Sequence, residues 1–164
     1  MLPRVTGREQ VETCVRYMKY PPEGRRGAVM GRGHTAFRGG PLADTLAAMN
    51  RETFLVVQIE TAEAVECLDD LLTVPGVDAA LIGPTDLSLA LGVPGEMDDP
   101  KLVGAIERTM AACAKHGVTP AIHTNDLAMT TSWARKGMRM VSINSEAGHL
   151  VAAMSQAVKT IRGD

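Results

Sequence analysis

Two acidic residues, Glu60 and Asp86, each stand just past an apolar, β-branched run, Phe54-Leu55-Val56-Val57-Gln58-Ile59 and Asp78 to Ile82. In parallel α/β folds the carboxyl ends of the strands are where ligands bind, so both carboxylates are expected on one rim. Two carboxylates completed by waters and substrate oxygens are an ordinary way to hold Mg²⁺ or Mn²⁺. Without a cation, two close carboxylates repel and one must take up a proton. The bland alternative is that Asp86 caps the turn Leu87–Leu91 and Glu60 stands in water. Gln58 argues against it. It lies two residues before Glu60, hence on the same face of the strand, and placing Gln and Glu inward at the end of an apolar strand costs desolvation unless they bind something.

Of the four histidines, His123 follows a strand pattern and is expected on the same rim, which makes it the candidate base within the chain. A lone histidine at a strand end is more often structural. His34 lies in a Gly/Arg-rich loop, His116 at a helix end where its charge suits the negative pole, and His149 on the outward side of the last helix. Arg25, Arg26, Arg32 and Arg38 have the chemistry to bind an acidic ligand, against the plainer reading of solvated loop arginines. The ten methionines, Met138 and Met140 included, read as core filler. Trp133 follows helical spacing with Met129 and Gly137 and is expected to pack, with a subunit contact as one possible place.

The elements that must position these groups alternate. Val11, Cys14, Val15 and Met18 recur at helical spacing, predicting a helix over 8–18. A Pro/Gly/Arg-rich loop over 20–40 follows, then a short helix over 42–50 and the strand ending at Glu60. Thr61 caps a helix running to about Leu72, with Glu63 near its positive end. A buried strand over 78–82 stops at Gly83-Pro84-Thr85-Asp86. Asp99 and Pro100 open a helix whose Leu102, Ile106, Met110 and Cys113 share a face, and Gly117 closes it. Strands over 118–123 and 138–144 flank a further helix, and the last helix runs from 145 to about 161. A strand fragment is expected at 1–5. This β-α alternation predicts a single α/β domain over 1–164 with a parallel sheet and outer helices, either a closed barrel or an open doubly wound sheet.

Composition closes off several classes. A net charge of −2, with both signs scattered, gives no basic face for nucleic acid, and aromatics at 3% leave little for base stacking. No G-x-G-x-x-G follows a strand and no phosphate-binding P-loop motif occurs. No run approaches the ~20 apolar residues of a membrane span, and no signal peptide is visible. The three cysteines, Cys14, Cys67 and Cys113, are far apart with no C-x-x-C pair, which favours a reducing cytoplasm over a disulfide or thiolate-zinc framework.

Val57-Gln58-Ile59-Glu60-Thr61, then Gly76-Val77-Asp78 and Ile82-Gly83-Pro84-Thr85-Asp86-Leu87-Ser88, resemble the HpcH/HpaI aldolase family, which includes 2-dehydro-3-deoxyglucarate and 4-hydroxy-2-oxoheptanedioate aldolases. Tyr20-Pro21-Pro22-Glu23-Gly24-Arg25-Arg26-Gly27 matches as strongly. Ile122-His123-Thr124 and Val141-Ser142-Ile143-Asn144-Ser145 are similar more loosely. The resemblance implies a partial TIM-type (β/α) barrel of the phosphoenolpyruvate/pyruvate kind, about the last five of its eight units. It implies that Glu60 and Asp86 are the ligands of a divalent metal, Mg²⁺ or Mn²⁺ with Co²⁺ also acceptable to oxygen donors. Gln58 would touch substrate, and the backbone at Thr85 would meet the pyruvate carboxylate. The metal would act as a Lewis acid on the enolate released when a 2-keto-3-deoxy or 4-hydroxy-2-keto acid is cleaved to pyruvate and an aldehyde. No lysine Schiff base is required.

Against the family pattern the chain is expected to lack roughly three amino-terminal β-α units. With them go the family's catalytic histidine, the acidic residue that tunes it, and the arginine for the keto oxygen. Arg4 is the nearest substitute for that arginine, though on a different strand. Open strand edges want covering, which predicts a homo-oligomer. Two other readings stand beside the aldolase: a non-catalytic metal- or pyruvate-binding member that serves as a subunit, and a citrate-lyase-like acyl-CoA lyase. The motifs around Gln58, Glu60 and Gly83–Ser88 fit the aldolase branch better.

Overall fold

The computed structural model describes residues 1–163. Four short strands, β1 (Val56–Ile59), β2 (Ala79–Ile82), β3 (Thr119–Thr124) and β4 (Met140–Ile143), form one parallel sheet in the order β1-β2-β3-β4. Each pair of neighbours is joined through helix. The helices α3 (Ala62–Glu66) and α4 (Leu68–Leu72) link β1 to β2, α5 (Pro84–Ala90) and α6 (Pro100–His116) link β2 to β3, and α7 (Leu127–Arg135) links β3 to β4. Ahead of β1 lie α1 (Arg8–Met18) and α2 (Leu42–Arg51), separated by a long segment with one 3₁₀ turn, Gly33–Thr35. Helix α8 (Glu146–Arg162) closes the chain. Among the described residues no helix is long and apolar enough to cross a membrane.

The expected α/β alternation is present, with three adjustments. The fragment at 1–5 is a single parallel bridge, Leu2 to Val57, in which Leu2 N–H donates to Val56 O and Gln58 N–H to Leu2 O. Arg4 then turns into the left-handed region (φ 51°), so pairing stops there. The helix expected from Thr61 to Leu72 is two helices that meet at Cys67 (φ −107°, ψ 26°). The strands differ from the expected runs at their ends: β1 and β4 are shorter at both, β2 begins one residue later, and β3 is displaced by one residue, to Thr119–Thr124.

Local chemistry sets the boundaries. The side chains of Thr61, Asp99, Asp126 and Ser145 accept backbone N–H groups in the first turns of α3, α6, α7 and α8, satisfying donors that a helix start leaves free. Pro100 sits at the first helical position, and Gly117 ends α6 in the left-handed conformation (φ 69°). Asp78 accepts Leu55 N–H through Oδ2 at 2.7 Å, tying the start of β1 to the start of β2.

The two sheet faces are unlike. Val57, Ile59, Ala80, Ile82 and Ile122 face the helices and join Leu71, Leu102, Ile106 and Cys113 in the main core. Trp133 and Met138 are buried in the same core, with Lys136 Nζ 4.3 Å above the indole ring. Truncating one of its fully buried leucines, Leu102 for example, is expected to cost about 2–5 kcal/mol. The opposite face carries Val56, Ala79, Leu81, Ala121 and Met140, a small separate cluster. Beyond that apolar layer, at the carboxyl ends of the strands, lie the polar groups.

Candidate metal and substrate site

The strand register places one row of residues across the rim. Ile59 pairs with Ile82, Ile82 with Ile122, and His123 with Ser142. One residue further along, Glu60, Gly83, His123 and Ser142 therefore stand side by side, on the face that carries Val56 and Leu81. Gln58 lies one row below Glu60 on that same face.

Glu60 is 5% exposed, although it is a carboxylate at a strand end. Arg4 N–H donates to Oε1 at 2.7 Å, and Gln58 Nε2 donates to Oε2 at 2.6 Å. These two donors compensate part of its desolvation and fix the orientation of the carboxylate, while each oxygen retains a second acceptor position. Gly83 makes the space. A β-carbon there would stand 3.2 Å from Gln58 Nε2 and 3.3 Å from Glu60 Oε2. Gly83 N–H donates to Ile59 O at 3.2 Å, which fastens the start of α5 beside Glu60.

Asp86 lies in the first turn of α5 and is exposed. It makes no hydrogen bond or ion pair among the described residues, so it does not act as the cap of that turn. Thr85, also exposed, precedes it, and α5 has no side-chain cap, leaving first-turn N–H groups available. Glu60 and Asp86 each offer carboxylate oxygens, the ligand type that a hard divalent cation takes, and among the described residues no group of three or more His, Cys, Asp or Glu side chains is placed to hold a metal ion.

A cavity of about 250 Å³ adjoins this rim. Its walls include Pro84 and Thr85 from α5, His123 and Asn125 from the end of β3, and Met97 and Met129. The His123 ring accepts or donates through Nδ1 to Ser142 Oγ at 2.9 Å.

The chain matches the HpcH/HpaI aldolase/citrate lyase family across residues 1–153. It belongs to that family. The 5-keto-4-deoxy-D-glucarate aldolase of Escherichia coli (strain K12 / DH10B) is 30% identical over 162 residues, 99% of this chain and 62% of the relative. The solved structure of an HpcH/HpaI aldolase from Desulfitobacterium hafniense DCB-2 superposes with a TM-score of 0.89 at 33% identity, over 96% of this chain and 61% of the other. An HpcH/HpaI aldolase/citrate lyase family protein from Burkholderia cenocepacia J2315 gives 0.87 at 28% identity, over 96% and 62%. This HpcH/HpaI family member thus spans about three-fifths of the length of the relatives it matches.

The other candidates fall elsewhere in this family member. Arg4 serves through its backbone, its side chain being exposed. Arg26 lies 4.7 Å over the Tyr20 ring, and Arg25, Arg32 and Arg38 are exposed. His116 contacts Asp69 at the far end of α6, where hydrogen bonds from His116 and then Lys115 hold the Asp69 carboxyl below its ordinary value. His149 is exposed and its Nε2 meets Ile143 O at 3.2 Å. His34 is exposed.

Two features carried no signal in the motifs. Asn50 is 2% exposed and staples the segment after α1: its Oδ1 accepts Tyr20 N–H at 2.7 Å, and its Nδ2 donates to Tyr20 O and to Glu23 Oε1, each at 3.0 Å. Ser142 became visible as a site residue only through its pairing with His123.

Proposed function

We propose that this chain contributes the metal- and pyruvate-binding half of an aldolase that cleaves a 2-keto-3-deoxy or 4-hydroxy-2-keto acid to pyruvate and an aldehyde. The burial of the Glu60 carboxylate at the end of β1, with Gln58 below it and the helix carrying Asp86 fastened beside it, carries the reading. Glu60 and Asp86 would hold Mg²⁺ or Mn²⁺; a bound ion would supply Lewis-acid charge to the keto oxygen of the substrate.

The chain's own groups have separable tasks. Gln58, fixed by its bond to Glu60, orients that carboxylate and offers its remaining amide valences to substrate. The Thr85 backbone, in the uncapped first turn of α5, meets the pyruvate carboxylate. In cleavage the C4 hydroxyl loses its proton, the C3–C4 bond breaks, and its electron pair passes to the pyruvate half, which is then protonated at C3. His123 is the candidate proton acceptor within the chain. Its Cα lies two strand spacings from that of Glu60, about 10 Å. We also propose a soluble cytoplasmic homo-oligomer. Supporting this are the scattered cysteines and helix α8, which buries no residue and exposes Leu150, Val151, Met154 and Ile161.

A second reading has one observation behind it: no histidine stands on the rim row next to Glu60, where Gly83 lies. In that reading the chain binds metal and pyruvate without turnover. Incubation with Mn²⁺ and pyruvate in D₂O separates the two. Exchange of the pyruvate methyl protons, abolished by EDTA, supports the aldolase. Pyruvate binding with no exchange supports the second reading. Absence of Mn²⁺ binding overturns both.

A further inference from the structure

We infer that the cavity between α1 and the turn before β2 binds a free α-amino acid with an apolar side chain, at the opposite edge of the sheet from Glu60.

The cavity measures about 380 Å³. One wall is a single stripe of α1, Glu12, Val15, Arg16 and Lys19, spaced i, i+3, i+4 and i+7. The turn Val74-Pro75-Gly76 and the side chain of Glu23 complete it. Gly76 lets the turn come close: it holds φ 98°, and a β-carbon there would meet Val15 at 3.4 Å. Two residues further on, Asp78 accepts Leu55 N–H at the start of β1, so the turn belongs to the amino-terminal edge of the sheet. The whole length of β1 and β2 separates it from the rim that carries Glu60 and Asp86, and none of the rim residues lines it.

The charges in the cavity are incompletely used. Glu12 and Arg16 have the i, i+4 spacing of a helical ion pair, yet Glu12 turns the other way, its Oε1 2.6 Å from Arg8 Nε. The exposed Arg16 guanidinium has neither an ion-pair nor a hydrogen-bond partner among the described residues, whereas Lys19 donates to Asn50 O. Gly76 N–H is likewise without an acceptor there. Each carboxylate has one oxygen committed, Glu12 Oε1 to Arg8 and Glu23 Oε1 to Asn50 Nδ2, which leaves the second oxygen of each open.

An open guanidinium, open carboxylate oxygens and the apolar surface of Val15 and Pro75 thus share one cavity. An α-amino acid matches all three. Its carboxylate pairs with Arg16, its ammonium with the open oxygen of Glu23, and its side chain covers Val15 and Pro75. A plain carboxylate would satisfy Arg16 but approach Glu12 and Glu23 with nothing to offer them. A plain amine would satisfy Glu23 and leave Arg16 unpaired beside it. The formal charges of Glu12 and Glu23 cancel those of Arg16 and Lys19, so neither sign alone is favoured. The volume lies at the low end of the ~300–1,000 Å³ of small-molecule sites, which suits a molecule the size of leucine.

Calorimetric titration of the full chain with leucine, 4-methylpentanoate, isopentylamine and glycine tests the assignment. Leucine should bind about tenfold more tightly than 4-methylpentanoate, which lacks the ammonium, and than isopentylamine, which lacks the carboxylate, as the loss of one charge-assisted hydrogen bond would give. Glycine, without an apolar side chain, should also bind more weakly. Arg16→Ala keeps the backbone oxygen that accepts Arg25 N–H and should weaken leucine binding about tenfold, with Arg16→Lys recovering part of it. Glu23→Gln keeps an acceptor for Asn50 and should weaken leucine but not 4-methylpentanoate. Mn²⁺ affinity should stay unchanged in all three variants. The assignment is overturned if the wild type shows neither heat nor a rise in Tm with leucine, if 4-methylpentanoate or isopentylamine binds as well as leucine, or if Arg16→Ala retains the wild-type affinity. Failure of the wild type to bind Mn²⁺ would overturn the aldolase reading and leave the leucine titration to decide this site.

Discussion

Gly83 and Glu60 are fitted to each other: a β-carbon on Gly83 would stand 3.3 Å from Glu60 Oε2, tighter than ordinary van der Waals contact. The glycine therefore lets a neighbouring strand end close over a carboxylate that two donors already hold, Arg4 N–H from before the sheet and Gln58 from within β1. The rim is preorganised around one buried anion.

Gly83→Ala tests this fit directly. The added methyl must displace the Gln58 amide or the Glu60 carboxylate by a few tenths of an ångström. Mn²⁺ affinity, read by electron paramagnetic resonance, is expected to fall about tenfold, and stability by about 1 kcal/mol, at the low end for an overpacked site. Unchanged Mn²⁺ affinity would show that the carboxylate's position is not what binds the ion.

Glu60→Ala and Asp86→Ala should separate binding from stability. Both are expected to remove Mn²⁺ binding. Glu60→Ala also strands the Arg4 N–H and the Gln58 amide, costing about 1–3 kcal/mol in urea unfolding. Asp86 is exposed and makes no bond among the described residues, so Asp86→Ala should stay within about 0.5 kcal/mol of wild type. Equal destabilisation by the two variants would contradict the burial difference.

Asn50→Ala is expected to loosen the segment after α1. It removes three hydrogen bonds and leaves the buried Tyr20 N–H without a partner, while Tyr20 O keeps only the bond from Gly24 N–H. The cost should be about 1–3 kcal/mol, the penalty for unsatisfied buried groups. Trypsin should then cut sooner at Arg25 and Arg26. An unchanged cleavage rate there would mean that the Tyr20–Arg26 contact, not Asn50, holds the segment.

Cys113 gives a pH dependence with a definite sign. It is fully buried, and burial pushes its thiol from 9.0 up to about 11. Because the folded value is the higher one, this group's contribution to stability is complete below pH 9 and is lost as pH rises toward about 11. Burial, followed by the charge of Asp70, also raises Cys67. At pH 8 a thiol reagent should modify Cys14 and Cys67, the latter slowly, and reach Cys113 only on unfolding. Cys113→Ser should flatten the stability profile between pH 9 and 11 relative to wild type.

The sequence by itself determined the alternation of strands and helices, the caps at Thr61 and Asp99, and the placing of Gln58 and Glu60 at the end of β1. These follow from periodicity and from interactions within a few residues, which the order of residue types records directly. The breaks were less legible: the junction at Cys67 and the reduction of 1–5 to one bridge depend on backbone conformations that residue type does not dictate. Only the tertiary structure decided that Arg4 reaches Glu60 through its backbone across 56 positions, that Asn50 holds Tyr20 across 30, and that His123 faces Ser142 across 19. Such contacts depend on strand register and on the path of the chain between elements. A shift of one residue in register would turn the same side chains to the opposite face.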